Sequence, residues 1–494
     1  TTVDANSVWN STDSTTAGWT HTTAPNGTLG TTVTVTDGDF RAHVALSSTT
    51  ITTTPKQVAY RVRGRLDNNT YTPVSSSVTG SRAIGAVTRQ WQRSTAASSD
   101  GSYTNISNAT TATFNDTAAP ADGSPRYYRI RLTAAGADTL TTEPVLGRRL
   151  AITQISAGTD LNGSHSCALA VGGRVWCWGQ QSNGRLGNGL SSTATVSIPI
   201  RVPNLFNVTQ VSAGGSHTCV RNTEKEIWCW GFGNSGRLGH GLETDSLVPV
   251  KVSPLGAATQ VSAGSASTCA RLEDSSVWCW GSNTWYALGD GTTTSSPTPK
   301  QVRTSASVTL TSVSSVSSSS VSFGFLSCAT RTSGLARCWG REDLVEPYQG
   351  YLGHGTTSWN GYPVPVSGSL AFSQISTGQL YACGIANGTL YCWGSNLSGQ
   401  LGLGDIDLRL APEAVALPNF TPAQVAATSN QTCVRSSDGN VRCWGGGVST
   451  PPTSNKSGLA EVTDLVGNGS FFGLVSGGVK TWSGTGTPTD VAFP

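Results

Sequence analysis

Methionine is absent from these 494 residues, and charged side chains supply only 12% of them, well below the ~25% usual in soluble domains. No apolar run approaches the ~18 residues that a membrane-spanning helix needs, so no membrane-spanning segment is expected. Lysine and arginine form no runs, and the formal net charge is +3. A chain so charged presents no polybasic surface for nucleic acid or an anionic membrane. Missing too are Cys-x-x-Cys-His, His-Glu-x-x-His, Gly-x-Ser-x-Gly and Gly-x-x-x-x-Gly-Lys, the spacings that attach haem, hold zinc, present a serine nucleophile or cradle phosphate. No catalytic residue, cofactor or metal is therefore expected, and the chain reads as a protein that is not an enzyme. With Thr at position 1 and no Met, it also reads as a processed or excised product from which any signal peptide or anchor has been removed.

Ser, Thr and 58 glycines fill the space left by charge. That composition suits short strands joined by many turns and leaves little for amphipathic helices. The length exceeds one ordinary core, so several domains are expected. Sequons such as Asn105-Ile-Ser and Asn207-Val-Thr arise by chance in so Ser/Thr-rich a chain and are given no role here.

Twelve cysteines fall into six near-equally spaced pairs: Cys167 and Cys177, Cys219 and Cys229, Cys269 and Cys279, Cys328 and Cys338, Cys383 and Cys392, Cys433 and Cys443. Each second cysteine precedes Trp-Gly, and the first cysteines follow one another at steps of 52, 50, 59, 55 and 50 residues. A period near 50 marks a stacked or circular repeat. Each unit offers four short extended segments. The middle two are joined by a tight turn, such as Val171-Gly-Gly-Arg174 or Ser437-Asp-Gly-Asn440, a hairpin signal.

The cysteines flank that turn, so they would face one another across the ladder, where a disulfide is feasible. A seventh unit, around Gly469-Ser-Phe-Phe-Gly473 and Lys480-Thr-Trp482, lacks the pair. Aligned by sequence, both positions are lost together, as Gly473 and Thr481, which favours bonded cysteines over buried free thiols. Paired cysteines in every other unit point to an oxidising compartment, hence an extracellular or cell-surface location. Seven four-stranded units suit a closed ring, because radial repetition leaves only short protected edges.

These units resemble regulator-of-chromosome-condensation repeats. One unit reads Gln210-Val-Ser-Ala-Gly, Ser216-His-Thr-Cys219-Val, Ile227-Trp-Cys-Trp-Gly231, Asn234-Ser-Gly-Arg-Leu-Gly239-His-Gly241 and Leu247-Val-Pro-Val-Lys-Val252. The resemblance covers about residues 150 to 494 and implies a seven-bladed β-propeller. The family includes a guanine-nucleotide exchange factor that binds chromatin, ubiquitin-ligase accessory domains and secreted bacterial proteins that inhibit enzymes by contact. The secreted bacterial branch is nearest in character. Eukaryotic members usually lack the paired cysteines, so the exchange-factor role is not carried over.

Ahead of the array, Val87-Thr-Arg-Gln-Trp91 and Tyr127-Tyr128-Arg-Ile130 resemble the core-tryptophan strand and the tyrosine corner of an immunoglobulin-like domain, with Ile130 where the second cysteine would stand. Residues 31–82 resemble an abbreviated fibronectin type III module, with Val33 opening its first strand, Tyr60 on a later one and Ser75–Thr79 as its last. The expected organisation is all-β: an N-terminal segment plus fibronectin-like module (1–82), an immunoglobulin-like sandwich (83–148) and the propeller (149–494).

His165 and His217 share one repeat position, whose equivalents are read as Ser267, Leu326, Tyr381, Gln431 and Phe471. These share no chemistry, so hydrogen bonding inside the blade is expected in preference to metal binding. The tryptophans that flank a cysteine (Trp176 and Trp178, Trp228 and Trp230, Trp278 and Trp280) are read as packing residues before sugar platforms. The variable position of Leu-Gly-x-Gly is Asn188, His240, Asp290, His354 or Leu403, each in its own unit, which makes a shared metal site improbable, and Asp290 and Asp405 are turn acids. The Ser-rich run Ser312–Ser322 is expected to lengthen a strand or loop.

The most irregular segment is the insertion Arg341–Tyr351. Its Glu342, Asp343, Glu346, Tyr348 and Tyr351, with Trp359 and Tyr362, form the candidate binding patch. The function expected is recognition of a protein or glycan at a cell surface, with possible self-assembly. The alternatives are a structural subunit of a surface filament or layer assembling through its N-terminal region, and, third, a secreted enzyme or enzyme inhibitor.

Overall fold

The computed structural model describes strands at 9–10, 18–21, 33–34, 57–60 and 78–81, then residues 88–94, 103–110, 126–133, 139–141 and 145–147. In the repeat array it describes 151–321, 325–340, 350–357, 361–451, 453–467, 470–475, 478–483, 486–491 and 493. Two compact units result: Thr1–Ala151 with Phe493–Pro494, and Ile152–Ala492. Among the described residues there is no α-helix, and none is long and apolar enough to cross a membrane.

In the first unit, Thr88–Ser94 pairs antiparallel with Arg126–Thr133, flanked by Thr104–Asn105 and Val145–Gly147, while Leu140–Thr141 also joins Arg126–Thr133. Trp91 faces Ile130 directly across this ladder. Alternation puts Tyr128, Ile130 and Leu132 on one face, where they bury a small core with Trp91, Ile106 and Ala109. Ile130 is held in this core by packing alone. The described strands of residues 88–147 make a single sheet, and those at 9–10, 18–21 and 33–34 make another. Gln57–Tyr60 pairs with Val78–Ser81, and most of the fibronectin-like reading lies outside the described residues.

The second unit is a ring of seven antiparallel sheets, spanning 152–201, 208–251, 258–301, 313–365, 372–414, 422–445 and 464–491, here called blades 1 to 7. Each is a simple meander with its first strand innermost. Blade 6 shows three strands among its described residues, although Lys456 N–H still donates to Val441 O at 2.7 Å, as the outer segments of other blades do.

All twelve cysteines are bonded, and in the expected pairs. Cys167 bonds Cys177, Cys219 bonds Cys229, and Cys269 bonds Cys279. Cys328 bonds Cys338, Cys383 bonds Cys392, and Cys433 bonds Cys443, which leaves no free thiol. In every pair the partners sit opposite on the second and third strands, for example Cys219 against Cys229, with Cα atoms 4.1 Å apart, near the ~4.5 Å of a close antiparallel pair. The pair Cys383 and Cys392 keeps this register although one residue fewer separates it, because its turn is shorter.

Blade 7 corrects the sequence alignment by one residue. Thr481 faces Phe472, and Gly473 faces Lys480. Phe472, not Gly473, stands at the first cysteine position, so Ser470, not Phe471, corresponds to His217. The Phe-Phe run gives the alignment no internal mark from which to choose.

The cores lie between blades. Leu186, Val202 and the Cys167–Cys177 pair of blade 1 pack on Val208, Val211, Val220 and Trp230 of blade 2, and the next seam repeats the arrangement around Trp280. Burying one tryptophan removes ~200 Å² from water, worth up to about 5 kcal/mol. Each indole is also latched. The Nε1–H groups of Trp230, Trp280, Trp339, Trp393 and Trp444 donate to the carbonyls of Arg185, Arg237, Ala287, Tyr351 and Gln400 in the preceding blade at 3.0–3.1 Å. The glycine two residues beyond that carbonyl must be glycine: Gly239 has φ +70°, and a Cβ there would run into the Trp280 indole.

Innermost strands are joined side by side by glutamine. Gln210 donates to Val261 O (3.0 Å) and accepts from Val261 N–H (2.9 Å), and Gln260 does the same to Val316. Gln374 and Gln424 repeat it. The ring closes where Asp464 of blade 7 accepts from Ile155 N–H of blade 1 at 3.5 Å, and where Trp178 meets Phe472 edge to face at 6.0 Å.

Candidate functional site

In a meander, the turns between strands one and two and between strands three and four lie at the same end. The ring therefore gathers the 159–162, 214–216, 264–266, 181–194, 232–245 and 282–295 turns, and the 350–357 segment of blade 4, on one face. The Ser-rich run does more than extend a strand there. Val313–Ser318 is the innermost strand of blade 4. Ser320 then reaches blade 1, a blade that is not its neighbour, accepting from Thr159 N–H (3.0 Å) and donating to Ala157 O (3.2 Å). This bridge joins two blades that are not neighbours in the ring.

Both candidate histidines are buried and bonded, but to the next blade instead of within their own. His165 Nε2 meets Thr218 Oγ1 at 2.8 Å, and His217 Nε2 meets Thr268 Oγ1 at 2.7 Å. In blade 5 the Tyr381 hydroxyl takes the role, accepting from Thr432 Oγ1 at 3.0 Å, so blades 1, 2 and 5 share a hydrogen bond to the next blade at this position, while Leu326 of blade 4 brings no polar side chain to it. Burial pushes His165 down to about 3, helped by the Arg185 charge, and lowers His217 well below the usual histidine range. Burial raises the Tyr381 phenol. Groups so held are structural links, not proton donors to a substrate.

Trp176, Trp178, Trp230 and Trp280 are buried in the blades. Asp290 caps its own turn, accepting from Thr292 N–H at 2.9 Å and Asn283 Nδ2 at 3.1 Å. Asp405 likewise accepts from Asp407 N–H and Asn396 Nδ2 at 3.0 Å. Among the described residues no three His, Cys, Asp or Glu side chains converge as metal ligands.

Of the seven residues in the sequence-derived patch, Glu342, Asp343, Glu346, Tyr348 and Trp359 lie outside the described residues. Tyr351 is 1% exposed and packs among Leu326, Leu352, Phe372 and Trp393, so its side chain belongs to the core. Tyr362 is half-buried and leans on blade 3, where a side chain at Gly291 would meet its ring. Blade 3 returns the contact: Tyr286 covers Gly361. Beside them Trp285, which is exposed, lies 6.2 Å from Phe325. Trp285, Tyr286, Phe325 and Tyr362 thus form an aromatic cluster across the blade 3–4 seam.

Sequence reasoning misses Trp285, Tyr286 and Phe325, yet a signal exists. Tyr286 has φ +55°, and the equivalent positions are Gly184, Gly236, Gly350 and Gly399, with φ between +72° and +79°. A tyrosine in the left-handed region is uncommon and strained. Such strain collects at functional sites. Aligning the repeats on the Leu-Gly two residues further on (Leu186-Gly187, Leu238-Gly239, Leu288-Gly289, Leu352-Gly353, Leu401-Gly402) shows the broken glycine. The same face exposes Leu161, Leu190, Leu242 and Ile406.

Comparison with known proteins agrees with this architecture. The regulator of chromosome condensation (RCC1) repeat matches residues 172–221, 225–271, 274–322 and 387–435, and a second description of that repeat matches 152–185 and 208–237. Each match of the first kind begins at or near the turn after a second strand, so one family repeat takes the outer half of one blade and the inner half of the next. The Cys219–Cys229 bond therefore ties two consecutive family repeats.

The chain is 29% identical over 289 residues to the human E3 ubiquitin-protein ligase HERC2, covering 58% of this chain and 6% of that one. It is also 29% identical over 323 residues to the Arabidopsis thaliana ultraviolet-B receptor UVR8, covering 63% of this chain and 56% of that one. It spans less than two thirds of either relative. Among solved structures, yeast RCC1 (Prp20) bound to Kap60 superposes with a TM-score of 0.53 at 18% identity, covering 64% of this chain and 83% of that one. Human WBSCR16 gives 0.50 at 19%, covering 64% and 85%. The array is an RCC1-like β-propeller, with RCC1 repeats matched within residues 152–322 and 387–435.

Proposed function

We propose that this propeller is an extracellular, non-enzymatic recognition module that holds a protein partner on its loop face, at the aromatic cluster of the blade 3–4 seam. The observation that carries this is Tyr286. An aromatic side chain is kept in a backbone conformation that the equivalent blades reserve for glycine, next to an exposed tryptophan. Tryptophan and tyrosine are the residue types that dominate binding energy at protein interfaces. Six disulfides accord with an oxidising compartment. Yeast Prp20, which shares this fold, is a binder of Kap60, Gsp1p and histones, so the architecture is one that presents surfaces to proteins.

The test is capture of cell-surface proteins by the full chain with cross-linking, compared with a Trp285→Ser/Tyr286→Gly variant and with Phe206→Ser/Leu335→Ser on the opposite face. Loss of a saturable captured protein in the first variant alone is expected. Equal capture by all three forms, or loss only with the opposite-face variant, would sink the reading. Capture that survives protease treatment of the cells and disappears with deglycosylation would replace the protein partner by a glycan.

A further inference from the structure

Blades 1 and 2 carry the same arginine in the same turn, and the two are treated differently. Arg185 and Arg237 each precede Leu-Gly, each donate Nε–H to the carbonyl three residues back (Ser182 O at 3.1 Å, Asn234 O at 3.0 Å), and each send Nη1 to a carbonyl of the following blade (Gly215 O at 3.4 Å, Ser265 O at 3.2 Å). Arg185 is then completed by a carboxylate. Its Nη1 reaches Asp160 Oδ1 at 3.1 Å and its Nη2 reaches Asp160 Oδ2 at 3.0 Å, the bidentate fork that suits a guanidinium.

Asp160 is within reach because the blade 1 turn is long: seven steps separate Gly158 from His165, whereas three separate Gly214 from His217. In blade 2 the short turn offers only Ser216, whose hydroxyl accepts from Arg237 Nη1 at 3.0 Å. Nothing replaces the second carboxylate oxygen. Among the described residues Arg237 has no ion pair and its Nη2 has no hydrogen-bond partner, and the residue is 8% exposed.

The rest of the surround is spoken for. The Phe232 ring covers one face of the guanidinium, with Cζ 4.8 Å from the centroid. Asp245, whose charge also acts on Arg237, has both oxygens engaged, accepting from Gly233 N–H at 2.9 Å and Asn183 Nδ2 at 3.0 Å. Burial pushes Arg237 down to about 10, with Asp160 and Asp245 pulling the other way. A desolvated cation without an ion-pair partner is costly unless something completes it.

The geometry points to Arg237 as a built receptor for the carboxylate of an acidic side chain on a protein partner, docking where Asp160 docks on Arg185. A protein source is favoured because exposed Leu242 follows in the same turn and exposed Leu161 lies on the same face, which would flank the acid with apolar contacts that exclude water. This deepens the loop-face reading and rests on it.

The test uses the full chain and a fluorescent, end-capped Leu-Asp-Leu peptide followed by anisotropy, with Leu-Asn-Leu as its uncharged twin. Binding of the Asp peptide alone is expected. Arg237→Gln should weaken it at least about tenfold. That substitution should fold, because blade 5 has Gln400 at this position and only the backbone carbonyl of Arg237 serves Trp280 and Thr268. Ser216→Asp, which supplies an internal carboxylate, should also abolish binding while raising the melting temperature.

Equal binding of the two peptides, or undiminished binding by Arg237→Gln, overturns the assignment. So does Arg237-dependent binding of oligogalacturonate without the Asp peptide, which would make the source an anionic glycan. Loss of partner capture in Trp285→Ser/Tyr286→Gly with Asp-peptide binding intact keeps the aromatic cluster as the docking surface and the carboxylate site as a separate part of it. The reverse pattern, capture intact and peptide binding absent, overturns the carboxylate site alone.

Discussion

Tyr286 lies against Gly361 across the blade 3–4 seam, with its own backbone at φ +55° and with no room for a side chain on its partner. In other blades the glycine sits at the first of these positions and a larger residue at the second: a Cβ at Gly236 would strike Pro297, and one at Gly184 would strike Leu247. The large and small residues have changed places, at the expense of backbone strain.

That exchange is directly testable. Tyr286→Gly should leave stability unchanged or raise it by up to about 1 kcal/mol, since relief of the left-handed conformation offsets lost contact. Gly361→Ala should cost about 1–3 kcal/mol by forcing the Tyr286 ring aside. Urea unfolding of both variants decides it. A large destabilisation by Tyr286→Gly would make Tyr286 a packing residue.

Acid should loosen the ring between its blades. The folded state holds His165 neutral down to about 3, whereas the unfolded chain takes up a proton near 6.5. Above about pH 6.5 the contribution is fully present. As pH falls from there toward 3, the unfolded state binds more protons, and stability drops by up to about 1.4 kcal/mol per pH unit for this residue. His217, lowered in the same direction, adds to the loss. The urea midpoint should fall between pH 7 and pH 4. The slope should flatten in His165→Gln/His217→Gln, a change that copies Gln431 of blade 6.

Removing one disulfide should weaken the propeller without unfolding it. Cys219→Ala/Cys229→Ala frees a loop of ten-residue separation, worth about 2–3 kcal/mol in the chain-entropy account. Blade 7, with Phe472 opposite Thr481, already forms its sheet without a bond. Loss of all native structure in the double variant, read by circular dichroism, would contradict this.

The ring seam should accept improvement. Asp464 spans it with an accepting oxygen at 3.5 Å from Ile155 N–H, while its other oxygen accepts from Gln424 Nε2 at 2.7 Å. At four other seams a glutamine (Gln210, Gln260, Gln374 or Gln424) makes the contact with a donor and an acceptor at once. Asp464→Gln should restore that double contact, raise the melting temperature and slow amide exchange at Ile155. Faster exchange would show that the acid is the better fit.

Much of the architecture is legible in the sequence because it is repetitive. Cysteines equidistant from a turn must face one another in a hairpin, and the register Cys219 to Cys229 is what that symmetry dictates. The same symmetry holds for Cys269 and Cys279, Cys328 and Cys338, and Cys433 and Cys443. Blade 7 escapes it by one position because two adjacent phenylalanines offer equal fits, and only pairing with Thr481 and Trp482 separates them. A binding patch read from irregular sequence draws in Tyr351, a residue whose side chain the core claims. Trp285 and Tyr286 stay hidden because they sit inside a regular repeat.

Local periodicity by itself determined the antiparallel meander of each unit, the hairpin that pairs each set of cysteines, and the number of units, since these depend on residues within about fifty positions of one another. Contacts between units were decided only by the closed ring. Whether a histidine bonds within its blade or to the next, whether Ser320 reaches blade 1, and whether an arginine finds Asp160 or is left with a serine all depend on which turns the closure brings together. Two arginines in identical local sequence differ for that reason: Gly-Arg-Leu-Gly sets the side chain's direction, and the length of a neighbouring turn sets what it meets.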